Sequence, residues 1–319
     1  MLDTAFTRLV GCSVPIQQAG MGGIADAELA RAVSDAGALG MLNVVMVPAS
    51  DVAAGLEALA KQTDGVFGMN FLMPFLDVAA VDAAAGLCRV VEFFYGAPDP
   101  SLVARVHGGG SLAAWQVGTT EEARRAEGAG CDFVVAQGIE AGGHVRGSVG
   151  VLTLLAQVLD AVEVPVLAAG GIGSGRAMAA ALAAGASGVR VGTRFVAAAE
   201  SPAHPAYIEA LVRAASADTT VTTAFSVMWP DAPHRVLRSC IEALGAFEGD
   251  VVGEMAMGPV SVPIPKGAVP TPRHDTTGAI EAMALYAGES VGAVTGRQPA
   301  REIVEELARE AERLLRAWA

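Results

Sequence analysis

One histidine stands in a loop whose composition suits chemistry. His144 follows the pair Gly142-Gly143 within the stretch QGIEAGGHVRG, residues 137–147. Histidine is the side chain that can change its charge near neutral pH, and glycine lets a backbone take positive φ or approach a ligand closely. A single histidine is more often structural than catalytic, but loops on a rigid scaffold commonly carry function. We therefore take His144 as the candidate catalytic residue.

Two glycine-containing turns predict an anion site. Gly170-Gly171 and Gly192-Thr193 follow two successive predicted strands. Such turns present bare backbone N–H groups, which can hold a phosphate without a lysine. Neither of the chain's two lysines is near them, although Arg190 or Arg194 could assist. Tight packing at a turn would explain any single glycine, so the prediction rests on both pairs together.

Two amide side chains end predicted strands and would face the same region. Asn70 ends the third strand and Gln137 the sixth. Amides there can hydrogen-bond a heterocycle or a polyol, and a structural amide is an equally good interpretation of each. Met21 is more often a core residue than a cofactor contact. The other histidines have no motif around them and are interpreted as surface or structural residues: His107, His204, His234 and His274.

Three further motifs match known signatures but lack the required context. Residues 20–25 match GxGxxA of dinucleotide-binding folds, yet no acidic residue follows about 20 positions later. Residues 288–292 match GxSxG, and residues 107–110 match the HGGG of hydrolases. A hydrolase elbow needs a strand before it and a histidine after it; the preceding residues look helical, and the last histidine is His274. We discard both interpretations.

Eight short apolar segments, most of them followed by a segment of helical spacing, would position these residues. The predicted strands are residues 14–19, 39–45, 66–72, 90–95, 112–117, 133–137, 164–169 and 188–195. The predicted helices between them are residues 26–36, 52–60, 77–85, 100–106, 120–128, 151–162 and 174–184. This order is typical of an α/β fold of the (β/α)8 TIM-barrel type, with a doubly wound open sheet as the alternative. Active sites of such barrels lie at the C-terminal ends of the strands, where the glycine-rich turns fall.

The β/α order stops near residue 200, and prolines cluster after residue 230. We predict a barrel formed by residues 1–200 and 274–319, with a small inserted α+β domain, residues 201–273, covering its mouth. Residues 276–288 are predicted to be helical and could bring Tyr286 back to the mouth. An amphipathic helix over residues 299–319 is predicted to close the barrel.

Composition excludes several classes of protein. The chain has 319 residues, of which 52% are hydrophobic, and a mean hydropathy of +0.45. Its long uncharged run, residues 36–50, is shorter than the roughly 18–20 residues that a membrane span needs. The net charge of −13 argues against a nucleic-acid partner. No basic, apolar signal peptide is evident at the start, and the four scattered cysteines suit reduced core thiols rather than a metal site. A cytoplasmic protein without a membrane partner is expected.

Several segments together resemble the nitronate monooxygenase family, formerly called 2-nitropropane dioxygenases. They are IQQAGMGG, FGMNF, QGIEAGGH, AAGGIGSGRAMAAALAAGASGVRVGTRF and ALYAGESVG. The similarity covers nearly the whole predicted barrel and is weakest over about residues 201–270. It implies an FMN-containing barrel with a small extra domain, which oxidises alkyl nitronates with O2 and needs no reduced nicotinamide.

The resemblance also implies roles for individual residues. His144 matches the catalytic base of the family, and Met21 matches a backbone contact at the flavin. The other FMN contacts fall on Asn70, Gln137, Gly142, Gly171, Arg190, Val191, Gly192 and Thr193. This sequence departs from the family pattern in two places: HVRG stands where many members have HRG, and Arg190 stands where most have Gln.

The substrate stays open at this point. Flavin-dependent enoyl reductases of fatty-acid synthesis share the barrel, the GGH segment and the AAGGI and GT segments, so an NAD(P)H-dependent enoyl-thioester reductase is the alternative. A flavin-binding protein without catalysis is a third hypothesis. The expected partners are a small-molecule substrate and O2, and a homodimer is a further option that the sequence leaves open.

Overall fold

Eight parallel strands form the central barrel of the computed structural model, which describes residues 2–45, 47–258 and 260–317. The strands of the described chain are β1 Ile16–Gln18, β2 Gly40–Asn43, β3 Phe67–Leu72, β4 Val90–Phe94, β5 Leu112–Val117, β6 Phe133–Gln137, β7 Gly143–His144, β8 Val166–Ala169, β9 Gly188–Val191, β10 Thr219–Thr222, β11 His234–Leu237, β12 Val251–Met257, β13 Val260–Pro265 and β14 Thr277–Gly278. The barrel takes the order β1-β9-β8-β6-β5-β4-β3-β2, and a parallel bridge between Gln17 and Leu39 closes it. The predicted (β/α)8 architecture is confirmed.

A layer of helices surrounds the barrel. The helices of the described chain are α1 Ala5–Val10, α2 Ala27–Asp35, α3 Ala49–Ala60, α4 Val78–Ala85, α5 Pro100–Gly109, α6 Thr120–Gly128, α7 Val151–Leu159, α8 Gly175–Ala183, α9 Thr193–Val196, α10 Pro205–Arg213, α11 Arg238–Ala246 and α12 Ala300–Arg316. The last helix packs against α8 and α2. It therefore fills the outer position between the last and first barrel strands, as its amphipathic sequence predicts.

Side-chain caps explain where several of these helices begin. The side chains of Asp26, Thr119 and Ser174 each accept a hydrogen bond from a backbone N–H three residues later. Such caps satisfy N–H groups that have no partner within the helix. The start of α8 at Ser174, predicted from the sequence, is confirmed.

The short helix α1 closes one end of the barrel. Phe6 and Val10 of α1 are buried in one apolar cluster with Phe133, Val135 and Leu167 from the barrel strands. The ring of Phe6 meets that of Phe133 edge to face, with 5.4 Å between centroids. Phe133 begins β6, so α1 covers the N-terminal end of the strands and leaves the C-terminal end as the mouth.

The structure corrects two predicted elements. The eighth barrel strand ends at Val191, and Thr193–Val196 form a helical turn instead of extending the strand to residue 195. Residues 276–288 are not a helix, because their backbone pairs with neighbouring strands. Thr277–Gly278 pair with β12, Tyr286 forms a bridge with Val236, and a 3-10 turn over Ile280–Ala282 lies between them.

Two small sheets lie outside the barrel. One has the order β10-β11-β7, so it includes Gly143 and His144 from the loop after β6. The other has the order β13-β12-β14. The boundaries of the inserted domain stay a prediction; the second sheet takes in β14, which lies beyond residue 273.

The four cysteines are buried and free. Burial raises the pKa of each thiol to about 12, so all four stay protonated near neutral pH. This confirms the prediction of core thiols. In the described ranges, none of the helices combines the length and the apolar character needed to cross a membrane.

Candidate active site

His144 lies at the mouth of the barrel in an enclosure of aromatic rings. Its imidazole stacks on Trp229, with 3.8 Å between centroids and 18° between planes. Tyr95 meets it edge to face at 5.7 Å, and the rings of His234 and Tyr286 lie at 5.2 and 5.7 Å. Trp229 is itself only 6% exposed. The enclosure therefore keeps most water away from the imidazole.

The enclosure fixes the protonation of His144. Burial, helped by the neighbouring His234, lowers the pKa of the imidazole from 6.5 to about 3. The ring is thus neutral at physiological pH. Its Nε2 atom is buried and has no hydrogen-bond partner among the described residues. A neutral imidazole with a free ring nitrogen can accept a proton from a substrate or orient a polar substrate.

His234 has a different role because both of its ring nitrogens are engaged. Nδ1 lies 2.8 Å from the carbonyl oxygen of Ala232, which can only accept, so Nδ1 carries the proton. Nε2 in turn accepts from the backbone N–H of Phe225 at 3.3 Å. Burial also lowers the pKa of His234. This ring supports the loop that carries Trp229 and has no free nitrogen for a substrate proton.

A polar network centred on Glu92 forms the floor of the mouth. Its carboxylate accepts hydrogen bonds from Gln17 Nε2 at 2.9 Å and from Asn70 Nδ2 at 2.7 Å. It also forms an ion pair with Arg190, whose guanidinium donates in addition to Gln116 Oε1. Glu92 is fully buried and the Arg190 side chain is 5% exposed. The floor is therefore polar and charged, although most of the barrel interior below it is apolar.

Of the two glycine turns, the one after β8 has the left-handed backbone that favours glycine, whereas Gly192 after β9 has a φ of −113°. Gly170 and Gly171 both have positive φ, 111° and 69°. A side chain would be strained at either position. Thr193 is buried, and its hydroxyl oxygen accepts from the backbone N–H of Gly288 at 3.0 Å. Its hydroxyl proton stays free to donate to an anion at this turn.

The residues present fit a flat polar cofactor such as FMN. Among the described residues, five buried polar atoms without a partner belong to strands or loops of the mouth: Gln17 Oε1, Asn43 Oδ1, Gln137 Oε1, His144 Nε2 and Arg190 Nε. Buried polar groups are rarely left unpaired unless a ligand or water completes them. Met21 lies beside Gly192 at the rim, since a Cβ on that glycine would be 3.7 Å from the Met21 sulfur. The donors, acceptors and small residues together suit a heterocycle that carries one phosphate.

The remaining predicted flavin contacts lie at the mouth and differ in the partners that their side chains have. Gln137 Nε2 donates to the carbonyl of His144 at 2.9 Å, which holds the loop of His144 to β6. Asn70 is committed to Glu92 and to Asn43, whose amide donates to its Oδ1 at 2.8 Å. Val191 is buried in the wall. Both side chains thus have partners within the protein, although the Nε atom of Arg190 has none among the described residues. The roles of Asn70 and Arg190 as flavin contacts stay predictions.

Gly142 holds the loop of His144 against another part of the chain. A Cβ at this position would lie 2.4 Å from the backbone nitrogen of Gly288 and 2.7 Å from the carbonyl carbon of Ala287. Only glycine permits this approach. The segment that carries Tyr286 is thereby held against the loop that carries His144.

Sequence reasoning interpreted His234 as a surface or structural residue and missed several other residues of the site: Gln17, Asn43, Glu92, Tyr95, Gln116 and Trp229. Glu92 had one local signal, since it is the only charged residue in the apolar run VVEFF. Tyr95 had a signal only in the structure, where it takes a positive φ of 67°. Trp229 and His234 lie in a proline-containing stretch without a motif, and no local pattern could assign them to the mouth.

Comparison with known proteins agrees with this geometry. The family model described as nitronate monooxygenase matches residues 3–87 and 79–310. A protein of Mycobacterium tuberculosis named (3aS,4S,5R,7aS)-5-hydroxy-7a-methyl-1-oxo-octahydro-1H-indene-4-carboxyl-CoA dehydrogenase is 38% identical over 244 residues, 75% of this chain and 67% of that protein. A probable nitronate monooxygenase of Staphylococcus aureus is 28% identical over 292 residues, 77% of this chain and 81% of that protein.

Two solved structures are similar over almost the whole chain. FabK of Thermotoga maritima is 30% identical with a TM-score of 0.79, and the match covers 100% of both chains. The nitroalkane oxidase of Streptomyces ansochromogenes is 33% identical with a TM-score of 0.79, covering 99% of this chain and 100% of the other. With a closed eight-stranded barrel, a histidine loop at its mouth and a family model that spans most of its length, this oxidoreductase belongs to the nitronate monooxygenase family.

Proposed function

We propose that the chain is an FMN-dependent oxidoreductase that oxidises alkyl nitronates, and nitroalkanes after loss of a proton, with O2. The observation that carries this proposal is the neutral, partner-free Nε2 of His144 inside an aromatic enclosure, beside glycine turns suited to a phosphate. The α-proton of a nitroalkane is acidic enough for an imidazole to remove, and a nitronate needs only to be oriented.

The residues of the chain divide the work between them. Backbone N–H groups at Gly170-Gly171 and the hydroxyl of Thr193 would hold the phosphate, and the amide of Gln137 would face the heterocycle. When bound, FMN would supply the electron-accepting chemistry. His144 Nε2 would take the α-proton and keep it as an imidazolium next to the substrate anion. His234 cannot replace it, because its Nε2 already accepts from Phe225.

The enclosure favours a compact substrate. Trp229 lies over one face of the His144 ring, and Tyr95 and Tyr286 flank it. Trp229 is in turn backed by Phe75 at 5.2 Å. A small nitro compound would need less displacement of these rings than a larger substrate to reach the imidazole. A bulky substrate would first have to displace Trp229 from the imidazole.

A second candidate is redox chemistry on an acyl thioester. Two relatives, 38% and 36% identical, are named as dehydrogenases of one carboxyl-CoA compound. The α-proton of a thioester is also removed from carbon, so His144 would have the same role. This candidate includes the NAD(P)H-dependent reduction of an enoyl thioester.

An oxygen electrode separates the candidates on purified, FMN-loaded protein. O2 uptake that depends on an alkyl nitronate, without NAD(P)H, is the result expected. Thioester-dependent reduction or oxidation, with no response to nitronates, would replace the first candidate by the second. Chromatography of the released cofactor should show FMN; release of FAD, or failure to take up any flavin, would contradict the cofactor assignment.

A further inference from the structure

We propose that Glu92 and Arg190 are a matched pair of positioning residues that balance the charge beneath the flavin and thereby set its reduction potential. The inference rests on the flavin site of the proposed function. It concerns two residues of the barrel floor, of which Glu92 has no assigned role and Arg190 is predicted only as a flavin contact.

The pair is buried and closely surrounded. The two side chains are 0% and 5% exposed and form an ion pair between β4 and β9, across the barrel interior. The neighbours that hydrogen-bond to them are neutral amides, from Gln17, Asn70 and Gln116. No second charged group among the described residues forms an ion pair with either partner. The charge of one is therefore compensated chiefly by the other.

The position of the pair connects it to the cofactor site. Asn70, a predicted flavin contact, donates to Glu92 at 2.7 Å. Arg190 stands two residues before Gly192, where the predicted phosphate turn begins. The Nε atom of Arg190 is buried and lacks a partner in the described part of the chain, so the guanidinium retains one donor for the cofactor side. Loss of either charged group would thus change the electrostatic potential at the flavin.

Electrostatics gives the two charges opposite effects. Reduction places negative charge on a flavin, and a fixed charge in a dry site acts on it with little screening. A guanidinium without its carboxylate would stabilise the reduced flavin. A carboxylate without its guanidinium would destabilise it. Together the two leave a nearly neutral floor, and this balance is what the pair contributes.

The test is a signed pair of substitutions. The FMN reduction potential of Glu92→Gln should shift to a more positive value, and that of Arg190→Gln to a more negative one. The double variant should return towards the wild-type value, because the floor is neutral again. A purely structural role would give shifts of the same sign, or none.

Charge-conserving and surface variants complete the experiment. Arg190→Lys keeps the charge and should leave the potential near wild type even if the affinity for FMN falls. Asp82→Asn breaks a half-exposed ion pair with Arg105 and should change nothing. If Arg190→Gln does not retain FMN, an unchanged or more negative potential in Glu92→Gln alone overturns the proposal.

The result is independent of the substrate. Potentials measured against redox dyes require bound FMN but no turnover. An FMN-loaded protein that ignores nitronates would contradict the proposed function and leave the pair fully testable. If the protein oxidises nitronates but the two single variants shift the potential in the same direction, the proposal for the pair is contradicted and the proposed function stands.

Discussion

At the scale of single residues, burial gives His144 its chemical character. An exposed histidine would be partly charged near pH 6.5, but this imidazole has its pKa lowered to about 3 and stays a neutral base. The cost is that the imidazolium formed after proton transfer sits in an apolar enclosure. A substrate anion beside it would offset that cost, which matches a base that works on carbon acids.

Replacing His144 should separate two kinds of substrate. His144→Ala should lose about 10²- to 10⁴-fold in kcat/KM on nitroethane, the usual contribution of a general base, while keeping most of its activity on the preformed nitronate. His107→Ala is the matched control, since His107 is exposed and pairs with Asp132 away from the mouth. Equal losses on both substrates, at matched flavin content, would remove His144 as the base.

Thr193 allows a test of the phosphate turn with nearly isosteric side chains. Thr193→Asp should abolish FMN retention, because a buried carboxylate would face the phosphate. The asparagine of Thr193→Asn has almost the same shape as aspartate but no charge. Its amide oxygen can still accept from the N–H of Gly288. The Asn variant should retain FMN far better than the Asp variant. Equilibrium dialysis measures both affinities; similar losses in the two variants would place the phosphate elsewhere.

At the scale of elements, two glycines show how context decides the effect of one methyl group. Gly55 lies within α3 with no atom within 4 Å of an added Cβ, whereas Gly142 would place its Cβ 2.4 Å from a backbone nitrogen. A methyl group at Gly55 would meet no neighbour. The clash at Gly142 is with backbone atoms, so no side-chain rotation can relieve it. The same substitution should therefore have opposite signs at the two positions.

The free energy of unfolding should record this difference. Gly55→Ala should stabilise the protein by about 0.5–1 kcal/mol, because alanine loses less entropy than glycine in a helix. Gly142→Ala should destabilise it by roughly 1–3 kcal/mol, the usual range for overpacking, and should weaken FMN retention. Urea titrations of both variants provide the measurement. A stable, flavin-replete Gly142→Ala would show that the loop of His144 does not depend on this contact.

The elements also show what the sequence could predict. The barrel strands are short apolar runs bounded by glycine and polar residues. A continuous apolar run is what a strand buried on both faces requires, so these strands could be predicted. Residues 276–288 carry apolar residues at helical spacing but pair with β11 and β12, so tertiary hydrogen bonds override the local preference. The loop of His144 was predictable from its glycines. Most of the enclosure was not, because Tyr95 and Trp229 come from distant parts of the chain. Tyr286 does lie at the mouth, as expected, but it is carried by a paired segment and not by the predicted helix.

At the scale of the whole molecule, two buried histidines couple stability to pH. Burial lowers the pKa of both His144 and His234 in the folded protein, while an unfolded histidine titrates near pH 6.5. Below pH 6.5 the unfolded chain therefore binds more protons than the folded one. Stability is fully present above that value and is lost as the pH falls towards the folded pKa, about 3 for His144.

Thermal unfolding between pH 7 and pH 5 should reveal this dependence, before most carboxylates titrate. The melting temperature should fall as the pH falls, because the free energy of unfolding decreases by at most about 1.4 kcal/mol per pH unit for each histidine. His144→Asn removes one of the two groups, so its dependence should be shallower. A slope identical to that of the wild type would mean that the pKa of His144 is not lowered in the folded protein.

The pairing of β7 with β11 has a consequence for how the protein is made. His144 leaves the ribosome well before Trp229, His234 and Tyr286, and at about 5–20 residues per second the interval is on the order of ten seconds. During that time the histidine has no partner strand, and of the four rings that surround it only Tyr95 has been made, so the imidazole lacks most of the cover that lowers its pKa. A nascent chain halted before residue 225 would contain all eight barrel strands and His144, but of the rings around the imidazole it would contain only Tyr95. The environment that lowers the pKa of His144 is thus complete only after Tyr286 has been made.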